Sequence, residues 1–370
     1  MLTINKCVSS ISCLFSADAF QQLVSGTRRG CGARLLRGLL WWARVPYACC
    51  VSLRNVLYDI HCKRIDRAPV PVISVGNLTL GGTGKTPCVE YIAKRFLEWD
   101  CRIAVLSRGY GANGGMNDEA LVLEQNLPAV PHLQGADRVA LSRVAAEELE
   151  SEIILLDDGF QHRRLARDVD LVLIDVTNPW GYGYLFPRGL LREPRRGLRR
   201  ASAFLLTRCD HVSDVQLRDV IFYLERHFPR IPVIQSTHNP IDLLNAVDET
   251  VPLSTLVSQP VVAFCGIGNP AAFRRTLENL HVRLIDFRSY PDHHDYSRQD
   301  IAELRTWAAG HGSSGLVLTT QKDLVKINLS QLGTKPLWAV RIGLNIVHGQ
   351  ERLDKLLRSV LETIRKPAPP

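Results

Sequence analysis

Val70-Pro71-Val72-Ile73-Ser74-Val75-Gly76-Asn77-Leu78-Thr79-Leu80-Gly81-Gly82-Thr83-Gly84-Lys85-Thr86-Pro87 is the stretch around which the chain is organised. It begins as an apolar run, passes through a glycine-rich loop and enters a helical pattern. This order of parts predicts a phosphate-binding loop, in which backbone N–H groups wrap a phosphate, the lysine reaches the outer phosphates and the Thr hydroxyl binds Mg²⁺. The alternative is a structural glycine turn in an α/β fold.

Thr79 stands where the strict phosphate-loop pattern has its first glycine. A Lys-Thr pair after a glycine-rich turn between strand and helix still favours a nucleotide phosphate site. The start of the helix adds unpaired N–H donors and the positive end of its dipole. The predicted cofactor-binding residues are Thr79, Leu80, Gly81, Gly82, Thr83, Gly84, Lys85 and Thr86.

Two acids, Asp157 and Asp158, directly follow a buried apolar strand. Carboxylates at such a strand end can hold Mg²⁺ beside a phosphate loop, so Thr86, Asp157 and Asp158 are the predicted metal ligands. The sequence does not decide which aspartate contacts the ion. The stretch 319–323 brings Lys322 and Asp323 together without the intervening residue of a guanine-specificity motif, which favours ATP over GTP.

Two further polar stretches leave their roles open. Asp118 and Glu119 can act as a base or as metal ligands, or they can be ordinary turn carboxylates. The stretch Pro291-Asp292-His293-His294-Asp295-Tyr296 is dense in metal-ligand types. It can also hold a histidine that polarises a catalytic acid or contacts the nucleotide, which is the interpretation we favour, or it is a plain polar turn.

Composition describes a basic globular protein of 370 residues with a net charge of +8 and a pI of about 9.0. This charge suits anionic membranes, phosphorylated substrates or nucleic acid. The ten cysteines include no Cys-x-x-Cys pair, which argues against a zinc ribbon or a thioredoxin-type site. We therefore expect reduced thiols in the cytoplasm. No uncharged run approaches the ~20 residues of a membrane-spanning helix.

The segment 28–67 combines leucines, Trp41-Trp42 and tyrosines with six arginines that precede its first acid, Asp59. Such a composition is typical of a helix in a membrane interface, although a helix packed on the core is the alternative. Pro46 is expected to kink or split it. The stretch 187–200 carries six arginines and one glutamate, which indicates a site for substrate phosphate or lipid headgroups, or a solvated loop.

Apolar strands and helical patterns alternate from Val72 onward. They predict an α/β fold with a mostly parallel sheet covered on both faces. We expect a loosely packed extension at 1–28 and an amphipathic membrane-interface helix at 29–67. A P-loop NTPase-like domain follows at 68–210, then a smaller α/β domain at 211–350, and a helix and tail at 351–370.

Two local expectations concern element starts. The chain after Asp118-Glu119 reads as a strand at Ala120–Leu123. Ser297 is expected to be the N-cap of a helix over 297–309.

Taken together, the chain resembles the tetraacyldisaccharide 4'-kinase family of lipid A biosynthesis. The resemblance covers roughly residues 30–350. Its carriers are the stretch 75–87, Ser107-Arg108-Gly109-Tyr110-Gly111, Asp118-Glu119, Asp157-Asp158-Gly159-Phe160-Gln161-His162 and the run on to Asp168, Pro187 to Pro194, Cys265-Gly266-Ile267-Gly268-Asn269-Pro270, Asp292-His293, and Thr319-Thr320-Gln321-Lys322-Asp323. Gln321 departs from the glutamate usual in that family.

The resemblance implies transfer of the ATP γ-phosphate to the 4'-hydroxyl of a tetraacylated glucosamine disaccharide 1-phosphate, giving lipid IV-A. It implies two α/β/α domains, and peripheral association with the cytoplasmic face of the inner membrane. It also implies Asp118 as the catalytic base and His293 as its partner. The partners expected are therefore the acylated disaccharide phosphate and the membrane surface, with no nucleic acid and no protein partner inferred.

Two other functions compete with this one. A soluble P-loop ATPase or metabolic kinase would need no lipid. A nucleic-acid-binding regulator is suggested only by the pI, because the basic residues lie beside Leu and Trp rather than on a stacking platform or reading helix.

Overall fold

The structure is a computed structural model, and it describes residues 17–109, 118–312 and 314–365 of the chain. Residues 1–16 of the predicted extension lie outside these ranges. So do Tyr110 and Gly111 of the motif that begins at Ser107.

The described residues alternate between helices and strands over most of their length. The α-helices are α1 (Ala17–Ser25), α2 (Cys31–Asp59), α3 (Lys85–Glu98), α4 (Asp118–Asn126), α5 (Arg138–Glu147), α6 (Asp214–His227), α7 (Pro270–Asn279), α8 (Arg298–Gly310), α9 (Gln321–Ile327) and α10 (Gln350–Arg365). The strands are β1 (Val72–Asn77), β2 (Ile103–Ser107), β3 (His132–Gln134), β4 (Ile153–Asp157), β5 (Val169–Asp175), β6 (Ala203–Thr207), β7 (Val233–Leu244), β8 (Thr250–Val251), β9 (Pro260–Cys265), β10 (Arg283–Ser289), β11 (Leu316–Thr320), β12 (Gln331–Leu332) and β13 (Lys335–His348).

The chain divides into two compact units, and each is discontinuous in sequence. The first comprises Met1–Lys85, Asp158–Ser236 and Ile346–Pro370, and the second comprises Thr86–Asp157 and Thr237–Asn345. The contiguous domains expected at 68–210 and 211–350 stay a prediction, and the two units cut across them.

In the first unit, parallel strands carry the core. β1 pairs with β5, β5 with β6, and β6 with the beginning of β7. Every residue of β1 and β6 is buried, which is why these strands read as unbroken apolar runs rather than as alternating patterns. Phe160, Phe204 and Leu224 are fully buried in the cluster that covers this sheet.

The second unit contains two sets of parallel pairings. β2 pairs with β3 and with β4, while β9 pairs with β10 and β11, and β11 pairs with β13. Antiparallel pairs are formed by β12 with β13 and by β8 with the end of β7. The α/β class with mostly parallel strands is therefore confirmed.

The strand expected at Ala120–Leu123 is wrong, because these residues lie in helix α4. A short apolar run cannot by itself distinguish a strand from a buried helix. Asp118 and Glu119 form the first turn of α4, where carboxylates interact favourably with the helix dipole. Ala120, Val122 and Leu123 are buried on its inner side.

The loosely packed extension expected at 1–28 stays a prediction, and its described part contains a helix. Residues Ala17–Ser25 form helix α1, in which Leu23 and Val24 are buried. The carbonyl of Val24 accepts a hydrogen bond of 3.0 Å from Arg188.

Pro46 does not split the N-terminal helix. It lies inside α2, which is continuous over 29 residues. A proline inside a helix removes one backbone donor and frees one carbonyl. Pro46 lies on an exposed side of α2, where water can satisfy that carbonyl.

Across the three described ranges, no helix is both long enough and apolar enough to cross a bilayer. The predicted cap at Ser297 is confirmed: the Asp300 amide donates to Ser297 Oγ at 3.1 Å, and the Ser297 amide donates to Asp300 Oδ2 at 2.8 Å.

Candidate active site

The phosphate loop connects β1 to α3 in the first unit. Gly81 and Gly84 have φ angles of 112° and 89°, a conformation that glycine adopts without steric cost. The buried Asn77 amide shapes the loop by donating to the Thr79 carbonyl at 2.8 Å and to Thr83 Oγ1 at 2.9 Å. A Cβ added at Gly81 would meet no atom within 4 Å, so the loop borders open space that a phosphate can fill.

The end of β6 holds the tip of this loop. Thr207 Oγ1 donates to the Thr83 carbonyl at 3.0 Å, and Arg208 Nη2 donates to the Gly82 carbonyl at 2.7 Å. Arg208 also pairs with Asp175 at the end of β5. Sequence reasoning missed Thr207 and Arg208. The rule that ligands bind outside the carboxyl ends of parallel strands could have pointed to them.

Lys85, the predicted phosphate-binding lysine, begins α3 and lies in an ionic cluster. Its Nζ is 3.6 Å from Asp158 Oδ1. Arg192 Nη1 donates to both oxygens of Asp158 at 2.8 Å. Asp158 has a φ of 50°, an uncommon conformation for a residue with a side chain. The structure thus brings together two predicted site residues, Lys85 and Asp158, and adds Arg192.

Asp157, the other predicted metal ligand, lies in the second unit at the end of β4 and is buried. Burial first, and the charge of Asp157 second, raise the pKa of the Cys88 thiol. Cys88 is in the first turn of α3, whose second residue is Thr86. Asp157 therefore lies near enough to Cys88 to act on its charge, and the oxygen donors of Asp157 and Thr86 suit Mg²⁺.

A buried polar network connects the phosphate loop to helix α2 within the first unit. Gln161 Nε2 donates to the Asn77 carbonyl at 2.9 Å and to Glu193 Oε1 at 3.1 Å. Glu193 is fully buried, accepts from Asn55 of α2 at 2.8 Å, and pairs with Arg200 at 2.9 Å. Glu193, the single acid of the arginine-rich stretch, therefore has a structural role, because it connects Asn55, Gln161 and Arg200.

Two more arginines of that stretch are also held by neighbours. Arg188 lies over the ring of Tyr184 at 4.4 Å, and Arg195 lies over Trp180 at 4.6 Å. Arg196 and Arg199 are exposed, and no described residue forms a hydrogen bond or ion pair with either. Of the six arginines, these two are the ones free to bind an external anion.

In the second unit, Asp118 lies between two cationic side chains. His293 Nδ1 is 2.8 Å from Asp118 Oδ2, and Lys326 Nζ is 2.7 Å from the same oxygen. His293 has a φ of 57°, so a strained backbone conformation presents its ring to Asp118. The predicted contact between Asp118 and His293 is observed, whereas sequence reasoning missed Lys326.

These contacts perturb both members of the pair. Burial alone would raise the pKa of Asp118, but hydrogen bonds from His293 and Lys326 outweigh it and lower that pKa to about 2. The hydrogen bond to Asp118 raises the pKa of His293 above its ordinary value, against the effect of burial. The site therefore holds an ionised carboxylate beside a histidine whose protonated form is stabilised by that carboxylate.

The rest of α4 is fixed by α9 and α3. Lys322 Nζ lies 2.5 Å from Glu119 Oε1. Gln321 Nε2 donates to Gln125 and Asn126 at 2.9 and 2.8 Å, two bonds that a glutamate at this position could not donate. Asn126 in turn donates to Glu90 of α3 at 2.8 Å.

The other ligand-rich and motif-like residues have packing roles. His294 stacks on Tyr290, with ring centroids 4.7 Å apart. No group of three His, Cys, Asp or Glu side chains in the described ranges could hold a metal ion. Asp323 is fully buried and accepts from the Gly266 amide and the Tyr296 hydroxyl at 3.0 and 2.9 Å.

Comparison with known proteins gives a consistent answer. The family model described as tetraacyldisaccharide-1-P 4'-kinase matches residues 36–362. The tetraacyldisaccharide 4'-kinase of Anaeromyxobacter sp. (strain Fw109-5) is 36% identical over 354 residues, which are 91% of this chain and 95% of the relative. That of Syntrophus aciditrophicus is 38% identical over 305 residues, 75% of this chain and 80% of the relative.

Among solved structures, this chain is similar to LpxK from Aquifex aeolicus, crystallised in complex with ATP. The TM-score is 0.71 at 33% identity, and the match covers 88% of this chain and 99% of the crystallised chain. The family model, the relatives and the fold agree over most of the sequence. The chain therefore belongs to the tetraacyldisaccharide-1-P 4'-kinase family.

Proposed function

We propose that the chain is an ATP-dependent kinase that phosphorylates the 4'-hydroxyl of tetraacyldisaccharide 1-phosphate, giving lipid IV-A in lipid A biosynthesis. The observation that carries the proposal is the presence, in a chain of this family, of the Lys85 phosphate loop and of Asp118 held by His293. A phosphoryl-transfer enzyme needs a group for each end of the reaction: one to bind the phosphates and one to receive the hydroxyl proton.

The cofactors fit the residues present. ATP supplies the phosphoryl group, and Mg²⁺ neutralises charge on its phosphates. Residues Thr79–Thr86 would hold the phosphates with backbone N–H groups and Lys85. Thr86 and Asp157, with Asp158, would hold the ion. The open space beside Gly81 and the oxygen chemistry of these side chains support this assignment.

The chain's own residues would act on the acceptor hydroxyl as follows. Asp118 accepts the hydroxyl proton while the acceptor oxygen forms its bond to the γ-phosphorus and the bond from that phosphorus to the leaving oxygen breaks. His293 stabilises the Asp118 carboxylate and keeps it ionised. Lys85 stabilises negative charge on the phosphates during transfer.

We also propose that the lipid substrate is reached from the membrane surface, with the protein bound peripherally at the cytoplasmic face of the inner membrane. Helix α2 supports this, because two groups of apolar side chains, each with 3- and 4-residue spacing, form an apolar stripe along one exposed side. The first group is Leu35, Leu39 and Trp42, and the second is Leu53, Val56 and Ile60, the residue directly after the helix; each is between 43% and 70% exposed. A stripe of this size on a basic protein suits a membrane interface.

The direct test is to incubate the purified protein with labelled ATP, Mg²⁺ and tetraacyldisaccharide 1-phosphate in detergent. We expect label in the lipid product. Lys85→Ala should abolish transfer, whereas Asp118→Ala should lower kcat about 100-fold or more with little change in ATP affinity. The proposal fails if the wild type labels no lipid. The base assignment alone fails if Asp118→Ala retains its turnover.

A further inference from the structure

Lys326 occupies a position that links the two members of the Asp118–His293 pair. Its side chain is 9% exposed, and its ammonium lies 2.7 Å from Asp118 Oδ2. The same nitrogen donates to the carbonyl of His294 at 3.2 Å. One cation therefore contacts both the first turn of α4 and the backbone that carries His293.

The two donors to Asp118 share one oxygen. His293 Nδ1 and Lys326 Nζ both contact Oδ2, and no described residue forms a hydrogen bond with Oδ1. Two donors on Oδ2 fix the rotation of the carboxylate, which makes Oδ1 the oxygen left to meet a hydroxyl. A proton acceptor must lie within hydrogen-bonding reach of its target, so this rotation decides which oxygen acts.

We propose that Lys326 is a positioning residue of the phosphoryl-transfer site, holding Asp118 Oδ2 and the carbonyl of His294, the residue after His293, so that Asp118 Oδ1 receives the proton of the acceptor hydroxyl. This inference rests on the proposed kinase function. His293 is largely exposed, whereas Lys326 is enclosed beside the carboxylate. Lys326 therefore provides an enclosed cation that orients Asp118.

Charged side chains surround both Asp118 and His293. Asp118 faces His293 and Lys326, and His293 also lies near Asp292, Glu119 and Lys322. Lys322 offers a matched control, because it is the same residue type on the same helix and pairs instead with Glu119 at 2.5 Å. The cations that form hydrogen bonds with Asp118 are His293 and Lys326, whereas Lys322 pairs with Glu119.

The first test measures ionisation without measuring activity. The pKa of the Asp118 carboxyl is determined by ¹³C NMR, with the signal assigned by its loss in Asp118→Asn. Loss of a cation at this distance raises a carboxyl pKa by about 1–3 units, so Lys326→Met should show that shift. Lys322→Met and Lys326→Arg should not. An unmoved pKa in folded Lys326→Met overturns the proposal.

The second test uses the kinase assay from pH 4.5 to 8, comparing each variant with the wild type at every pH so that titration of ATP cancels. Lys326→Met should lower kcat about 10- to 100-fold, with little effect on the KM for ATP. Its rate relative to wild type should fall further toward acid pH.

Lys326→Arg should restore the pH profile and part of kcat, and it also tests the proposal if Lys326→Met does not fold. A wild-type profile in Lys326→Met, or no rescue by arginine, contradicts the proposal. If the wild type labels no lipid, the kinase function fails, while the NMR result still stands.

Discussion

At the scale of single residues, three of the unusual backbone conformations lie at the candidate site. Asp158, Arg208 and His293 all have positive φ angles between 50° and 59°, and each contacts another proposed site residue or the phosphate loop. Such conformations cost of order 1–3 kcal/mol and persist only where surrounding contacts enforce them. Here those contacts are the ion pairs of Asp158 and Arg208 and the hydrogen bond of His293 to Asp118.

Arg208 should matter for nucleotide affinity although it lies far from the loop in sequence. Arg208→Ala removes the charged donor to the Gly82 carbonyl, so the loop tip loses its fixed shape. We expect the Kd for ATP to rise about 10-fold, measured by isothermal titration calorimetry in the presence of Mg²⁺. Arg226→Ala, an exposed arginine on α6, is the control. Wild-type affinity in Arg208→Ala would show that the loop keeps its shape unaided.

The raised pKa of His293 predicts the direction in which the kinase activity depends on pH. The protonated ring is present below that pKa and is lost as the pH rises through it, so its support of Asp118 fades at alkaline pH. His293→Asn should therefore be most impaired relative to wild type at acid pH, about 10- to 100-fold, and approach the wild-type rate at alkaline pH. Rates from pH 5.5 to 9 measure this, with the exposed His348→Asn as control. A pH-independent ratio contradicts the role of the charge.

At the scale of elements, long periodic segments were predictable and short ones were not. The alternation of apolar strands and helical patterns from Val72 onward predicted the α/β class, and Ser297 was predicted as the N-cap before α8. Helix α4 was misread as a strand because only four apolar residues were available to decide. The length of β7 and the formation of the short strands β8 and β12 depend on pairing partners that local sequence does not specify.

The candidate site was predictable in the same uneven way. The phosphate loop is local in sequence, so Lys85 and Thr86 could be recognised directly. Asp118 and His293 lie 175 positions apart, and only the family resemblance paired them. Lys326 and Arg208 had no motif of their own. Their importance comes from contacts that exist only after folding.

Gly76 in β1 tests how tightly the strand fits the chain beside it. A Cβ at this position would lie 2.6 Å from both Cβ and the backbone nitrogen of Phe160. Gly76→Ala must therefore displace a fully buried residue, and we expect the free energy of unfolding to fall by about 1–3 kcal/mol. Urea unfolding measures the change. Gly82→Ala, which meets no atom within 4 Å, should change stability little, and an equal effect of both substitutions would refute the steric explanation.

At the scale of the whole molecule, charge and apolar surface suggest how the protein meets a membrane. The chain carries a net charge of +8, which favours anionic surfaces in general, including nucleic acid. The apolar stripe of α2 distinguishes between these partners, because apolar side chains gain nothing from a phosphate backbone but gain free energy in a lipid interface. Salt should therefore weaken membrane binding without abolishing it.

Vesicle binding by the full chain is the measurement that separates these contributions. Replacing Leu39 and Trp42 by serine removes two exposed apolar side chains, and burying such a side chain is worth about 1.5–3 kcal/mol when complete. We expect the partition onto anionic phospholipid vesicles to fall about 10-fold or more. The control is Phe222→Ser on α6, which is 63% exposed but lies outside the stripe, and it should bind like the wild type.

Ionic strength then tests the charged part of the same interaction. Between 0.1 M and 1 M salt the Debye length falls from about 10 Å to about 3 Å, so the contribution of Arg196 and Arg199 should vanish at high salt. Wild type and Arg196→Ala/Arg199→Ala should then bind alike, while the serine variant stays weaker at every salt concentration. If instead the serine variant binds vesicles normally and light scattering shows that the wild type alone self-associates, the stripe covers a second copy of the chain and the membrane proposal is wrong. Duplex DNA binding that survives high salt would likewise contradict it.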